Sequence, residues 1–201
     1  MSSSRRAPGR PPLLEDVELR ARAFDVVVRQ GYENVTVGDI AAEVGVSVRT
    51  LHRYFPAKAD IVWGAVDSAF EALKQGFDQA GEDLPLIDLI IAAVTAAFGE
   101  PDEHSVLSRQ RMRLIVTIRE LQSSQSEMYQ LWHGQLVEII SRRLGEPEDG
   151  LRPRALASAV QAAIMEALAF WAFQDDADTP SAVVAKALRA FELLNAAAAR
   201  D

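Results

Sequence analysis

Apolar positions recur every three to four residues over nearly all of the chain beyond Pro12, and no alternating stretch of useful strand length appears. Leu14, Val17, Ala21, Phe24 and Val28 make one stripe and predict a first helix, with Gly31 where a C-cap belongs. A short helix follows over Val37–Val44. Thr36 is its natural N-cap, and Asp39 three residues on completes a variant capping box. After Gly45-Val46, a third short helix reads from Ser47 to Tyr54, and Pro56 stops it. From Ala57 a long helix is expected, with Val62, Val66, Phe70, Leu73 and Phe77 on one face and Gly81 and Pro85 as punctuation.

The segment Leu86–Phe98 is apolar on nearly every side, the mark of a helix buried in a bundle. Helices are then expected over 103–122 and 126–144, followed by a polar turn at Glu146–Gly150 and two alanine-rich helices over 153–174 and 180–198. Thr179 and Pro180 supply the N-cap and N1 pair of the last. The pattern amounts to about nine helices, three short ones first and six longer ones after.

Composition narrows the class. The 201 residues contain no cysteine, which excludes disulfides, thiolate zinc sites and cysteine nucleophiles. The start, MSSSRRAPGRPP, is basic without an apolar h-region, so it does not read as a secretory signal. Ala155–Phe173 has the length to cross a thin bilayer. It carries Ser158, Gln161 and Glu166 and is so rich in alanine that a buried helix of a cytoplasmic protein fits better. The net charge of −8 is uneven: residues 1–58 hold nine Lys/Arg against seven Asp/Glu, and Arg5, Arg6 and Arg10 come before any acid. A locally basic face on an acidic chain still suits nucleic acid.

The two short helices joined at Gly45 are the most specific pattern. A helix-turn-helix needs a small residue at the helix crossing, which Ala41 provides. It also needs a residue tolerant of left-handed backbone, and Gly45 stands four positions on. Ile40, Val44, Val46 and Leu51 are spaced to form its core. Ser47 caps the second helix and leaves its N-terminal amides aimed outward, suited to a phosphate. The exposed face would carry Val48, Arg49, Thr50, His52 and Arg53, types that suit a major groove.

The stretch GYENVTVGDIAAEVGVSVRTLHRYFPAKAD, Gly31–Asp60, resembles the DNA-binding domain of the TetR family of transcriptional regulators. The resemblance implies that Thr36 and Lys58 hold phosphates, and that Ser47, Val48, Arg49 and Thr50 face the groove. Arg53 and Tyr54 would reach phosphates or base edges, with core packing the alternative for Tyr54 and the preferred reading for Phe55. Many members carry tyrosine where this chain has His52. Gly9-Arg10-Pro11 resembles the core of an AT-hook, so Arg5, Arg6 and Arg10 are expected to form a basic arm over 1–12 that adds salt-dependent affinity.

The resemblance further implies a homodimer through the last two helices on a palindromic operator, and a small-molecule effector bound among the middle helices. Leu156, Val160, Ala163, Ala167 and Trp171 share one face and Val184, Leu188, Phe191 and Leu194 another, which are the expected dimer faces; the alternative is that both complete the monomer core. Trp63, Phe70, Phe98, Met112, Met128, Trp132, Phe170 and Phe173 are candidates to line an effector pocket, although aromatics at helical spacing more often belong to plain core. Arg111 lies on the stripe Leu107, Arg111, Leu114, Ile118, where it either snorkels to solvent or meets an anionic ligand head. His133 shares a face with Leu136, Val137 and Ile140; it is a further candidate, with a satisfied core histidine as its default reading. The string RQRMRLI, with the following LQ, resembles actinobacterial-type regulators associated with acyl-thioester ligands.

An enzyme finds little support. His52, His104 and His133 are far apart and in no metal-binding spacing, and neither a nucleophile elbow nor a phosphate-cradling glycine loop occurs. No cofactor and no metal are expected. The reading is therefore an all-α protein with an N-terminal three-helix DNA-binding domain over 13–56, containing a helix-turn-helix, and a C-terminal six-helix ligand-binding and dimerisation domain over 57–201. Its expected function is a repressor released by a small, largely apolar molecule. The alternatives are a regulator whose ligand promotes binding, or a helical enzyme or scaffold.

Overall fold

A computed structural model describes residues 13–64, 73–77, 84–98, 104–124, 126–174 and 178–198, and every regular element among them is helical. The helices are α1 Leu13–Gln30, α2 Val37–Val44, α3 Val48–Tyr54, α4 Ala59–Trp63, α5 Leu86–Phe98, α6 His104–Thr117, α7 Arg119–Ser124, α8 Ser126–Leu144, α9 Leu151–Phe173 and α10 Pro180–Ala198. A 3₁₀ turn, Tyr32–Asn34, separates α1 from α2, and residues 73–77 are also helical. The chain divides into two compact units between Gly64 and Ala65, eight residues later than the break expected before Ala57. The reason is α4. It packs on α1 and buries Ala59, Ile61, Val62 and Trp63, so it belongs with the first unit.

The buried side of α1 carries Ala23, Phe24, Val26 and Val27, whereas Val17 is 67% exposed and Ala21 also lies outside. The stripe expected from Leu14 is therefore rotated. Arg20 contributes to the difference: its guanidinium lies 5.0 Å from the Phe55 ring centroid, so a charged residue covers an inward aromatic and interrupts the apolar stripe.

Gly45 ends α2 at φ 78°, ψ 29°, and the Val46 amide donates to the Ala41 carbonyl at 3.0 Å, which is a Schellman closure. A Cβ there would meet nothing within 4 Å, so the demand for glycine comes from the backbone angle and not from crowding.

In the second unit α9 is the central helix, packed against α6, α8 and α10, while α10 also packs on α5. Leu151–Phe173 is long and apolar enough to cross a membrane, yet it contacts three other helices and buries Gln161 completely. Gly76 permits a close approach: a Cβ on it would stand 2.8 Å from the Ala93 Cα. The helix expected over 103–122 is broken at Ile118. The Thr117 hydroxyl donates back to the Arg113 carbonyl at 2.7 Å and the Gln122 side-chain Nε2 to the Val116 carbonyl at 2.6 Å, while the Ile118 backbone amide still donates to Leu114 at 2.9 Å and that of Gln122 to Ile118 at 3.1 Å.

The expected dimer faces divide: Leu156 is 41% exposed, Ala163 and Phe191 are half-buried, and the side chain of Leu194 lies outside the described residues. Val160, Ala167, Trp171, Val184 and Leu188 are buried in the subunit's own core. What α9 leaves outside, besides Leu156, is a stripe of Ala155, Ala159, Ala162, Glu166, Phe170 and Phe173, with the two phenyl rings 57% and 55% exposed. An alanine-rich helix is apolar on two sides, and periodicity alone does not say which side the subunit keeps.

Candidate nucleic-acid interface

Each half of the helix-turn-helix starts from a side-chain cap. The Thr36 hydroxyl accepts from the Asp39 amide at 3.2 Å, and the Asp39 carboxylate accepts from the Thr36 amide at 2.9 Å and its hydroxyl at 2.6 Å. These bonds hold the Asp39 carboxyl below its ordinary range, with the side-chain bond from Thr36 the larger cause. On α3, the Ser47 Oγ accepts from the Thr50 amide at 3.0 Å and lies 2.8 Å from the Thr50 hydroxyl. The caps fix where both helices begin and leave the hydroxyls of Thr36, Ser47 and Thr50 engaged within the unit.

With α3 so anchored, its two sides differ. Leu51 is fully buried, and Val48, Arg49, His52 and Arg53 share the outward face. Val48 presents an exposed isopropyl group, and Arg49 has no bonded partner among the described residues. Arg53 is partly committed. Its guanidinium stacks over the Tyr54 ring at 4.9 Å and donates to the Tyr54 hydroxyl at 3.0 Å. Tyr54 is half-buried and Phe55 fully so, hence Phe55 is core and Tyr54 bridges core and surface.

Lys58 points elsewhere. Its ammonium donates to the carbonyls of Tyr32 at 3.0 Å and Val35 at 3.4 Å and sits 4.1 Å from the Tyr32 ring centroid. It ties the start of α4 to the 3₁₀ turn, so a phosphate would have to compete with those carbonyls. Arg5, Arg6 and Arg10 lie outside the described residues.

The candidates for an effector pocket do not form one group. Trp63 is buried in the first unit. In the second unit, Met112 on α6 and Trp132 on α8 face inward, on helices that both pack against α9. Phe170 and Phe173 instead face outward, which corrects their placement among pocket residues. Phe70 and the side chains of Phe98 and Met128 lie outside the described residues. Arg111 is half-buried beside Met112, and burial pushes its guanidinium down to about 10. His133 is half-buried between α8 and α9, with Nε2 3.0 Å from the Ser158 hydroxyl. Because that hydroxyl gives its hydrogen to the Arg154 carbonyl at 3.0 Å, the imidazole Nε2–H is the donor to it.

Two features escaped the sequence reading. Gln161 is fully buried; its side-chain Nε2 donates to the Tyr129 carbonyl at 3.0 Å, while its own Oε1 accepts from none of the described residues. The signal was a lone amide inside an alanine-rich apolar run. The other feature is a pair of arginines on α6 that hold the end of α9. Arg109 donates to the carbonyls of Trp171 at 3.0 Å and of Gln174, and stacks over the Trp171 ring at 4.5 Å. Arg113 donates to the Ala172 carbonyl at 2.5 Å and lies 5.7 Å from the Phe173 ring centroid.

Comparison with known proteins agrees in both halves. Residues 19–63 match the model for bacterial regulatory proteins of the tetR family, and residues 84–198 match the one described as the MftR C-terminal domain. MftR of Mycobacterium tuberculosis, assigned as a mycofactocin biosynthesis transcriptional regulator, is 28% identical over 149 residues, 74% of this chain and 75% of its own. The HTH-type transcriptional regulator TcmR of Streptomyces glaucescens is 27% identical over 196 residues, 91% of this chain and 87% of its own. A crystal structure of a transcriptional regulator from Pseudomonas aeruginosa shares the fold at a TM-score of 0.63, covering 95% of each chain at 18% identity.

Proposed function

Because the chain belongs to the tetR family of bacterial regulatory proteins, and is thus a DNA-binding transcriptional regulator and not an enzyme, we propose that it is a repressor whose α3 reads a palindromic operator. Members of this family dimerise and take small-molecule ligands. The observation that carries the operator reading is the outward face of α3, where Val48, Arg49, His52 and Arg53 stand together behind a capped turn. The set supplies donors for guanine edges or phosphates and a methyl surface for thymine. The basic arm 1–12 adds phosphate contacts, and the protein acts in the cytoplasm.

The dimer forms through α9 and α10, with the outward stripe of α9 as the seam. An effector, small and largely apolar and of the acyl type, binds among the helices of the second unit near Met112, Trp132 and Arg111. It releases DNA by favouring the conformation that binds the operator less well. The orphaned Gln161 oxygen supports an effector that also carries one hydrogen-bond donor.

The test is binding of the purified protein to a labelled duplex flanking its own gene, with salt titration and unlabelled competitor. Competitor-resistant, salt-sensitive binding with Kd on the order of nanomolar is expected. Weak binding equal to that on random DNA would count against the reading for that fragment. A panel of lipids and aromatics should then include a compound that weakens the complex, and an unchanged affinity throughout would argue against release.

Arg111 gives a second prediction. Replacing Arg111 with Met removes a partly buried charge at little cost in volume. If Arg111 meets an anionic head, the concentration of effector needed for release should rise roughly tenfold or more, and neutral analogues should lose little. Equal loss for charged and neutral compounds would assign Arg111 to packing.

A further inference from the structure

We propose that His52 reads the operator as a hydrogen-bond acceptor, selecting the exocyclic amino group of an adenine or a cytosine, because the Pro56 carbonyl holds its imidazole in the Nδ1–H form. The inference rests on α3 being the recognition helix and adds what one of its side chains recognises. His52 Nδ1 lies 3.2 Å from the Pro56 carbonyl oxygen. A carbonyl has no hydrogen to give, so the ring supplies it from Nδ1. A neutral imidazole has only one such hydrogen, and Nε2 is left with a lone pair. Pro56 sets up this contact by ending α3, since a proline cannot extend the helix and its carbonyl lies just beyond the last turn.

His52 stands one helical turn beyond Val48 and Arg49 on the outward face, with Arg53 beside it. Arg49 and Arg53 can only donate, and Val48 can only make apolar contact. His52 is therefore the acceptor of the set. Phosphate oxygens also only accept, so an Nε2 lone pair does not suit the backbone. In the major groove its partners are the amino groups N6 of adenine and N4 of cytosine. The charged side chains of α2, the helix packed on α3, are held elsewhere: Asp39 by Thr36, and Glu43 by Arg29 at 2.6 Å and by Gln30.

Two measurements on the full chain at pH 8 test the proposal. The first is a long-range proton–nitrogen correlation spectrum of the ¹⁵N-labelled protein, in which the His52 signals are identified by their loss in His52→Gln. The expected pattern has Nδ1 protonated and Nε2 bare. The second selects binding sites from a randomised duplex library with the wild type and with His52→Phe, which keeps a flat ring without the acceptor. The wild type should favour adenine or cytosine at one position of each half-site by about tenfold. His52→Phe should flatten that position and keep the rest of the site.

A spectrum with Nε2 protonated overturns the proposal while leaving the regulator reading intact. Identical site preferences in the two proteins do the same, and would assign His52 to shape or packing. If the wild type enriches no sequence at all, the reading of α3 as a recognition helix fails along with it.

Discussion

Replacing Arg49 with alanine should weaken operator binding roughly a hundredfold or more, with melting temperature and oligomeric state unchanged. A bidentate arginine–guanine contact contributes about 1–3 kcal/mol of discrimination, and a two-fold symmetric dimer on a palindrome loses it twice. The fold should not notice, because Arg49 is exposed and holds no other residue among those described. Electrophoretic mobility shift over a salt series distinguishes the two ways of losing affinity. If Arg49 reads a base, specificity falls and the salt slope stays. If it holds a phosphate, binding weakens on all sequences and the slope falls by about two, one for each half-site. Unchanged affinity would remove α3 from the interface.

The second large effect is expected from Phe170→Asp. Phe170 is 57% exposed in the single subunit, on the outward stripe of α9, so its removal should cost the subunit's own core little. In a symmetric dimer each substitution acts on two copies. Burying a phenylalanine side chain contributes about 1.5–3 kcal/mol, and a buried carboxylate adds a penalty. The dimer dissociation constant should rise by a factor of roughly a hundred or more. Sedimentation over a concentration series would show monomers at micromolar protein, and operator binding would be lost with the dimer. A variant that stays dimeric at nanomolar concentration would move the interface off this stripe.

Legibility followed the reach of the interactions involved. The turn at Gly45 and the caps at Thr36 and Ser47 depend on residues within four positions of one another, and the structure has them where the spacing puts them. The rotation of α1 was not legible, because it depends on packing against α2 and α4, with Arg20 meeting Phe55 thirty-five residues away. The same holds for α9. Val160 and Phe170 are equally apolar in the sequence, but only the packing of α6, α8 and α10 decides that one is core and the other is outside. Lys58 shows a third limit: its position in a motif suggests a phosphate partner, but the local geometry gives its ammonium the carbonyls of Tyr32 and Val35. On the outward face of α3, residue types could be read directly, whereas the hydrogen bond of His52 needed the position of the Pro56 carbonyl.

The two arginines that hold the end of α9 bear on the cost of association. The last carbonyls of a helix normally have no partner and its final turn frays. Here Arg109 and Arg113 occupy the carbonyls of Trp171, Ala172 and Gln174, in the same turns that carry Phe170 and Phe173. The conformational entropy of that segment is therefore given up when each subunit folds, before it meets another copy. If the outward stripe of α9 is the dimer seam, as proposed, two subunits would join there as preorganised surfaces, and more of the apolar burial would remain as binding free energy.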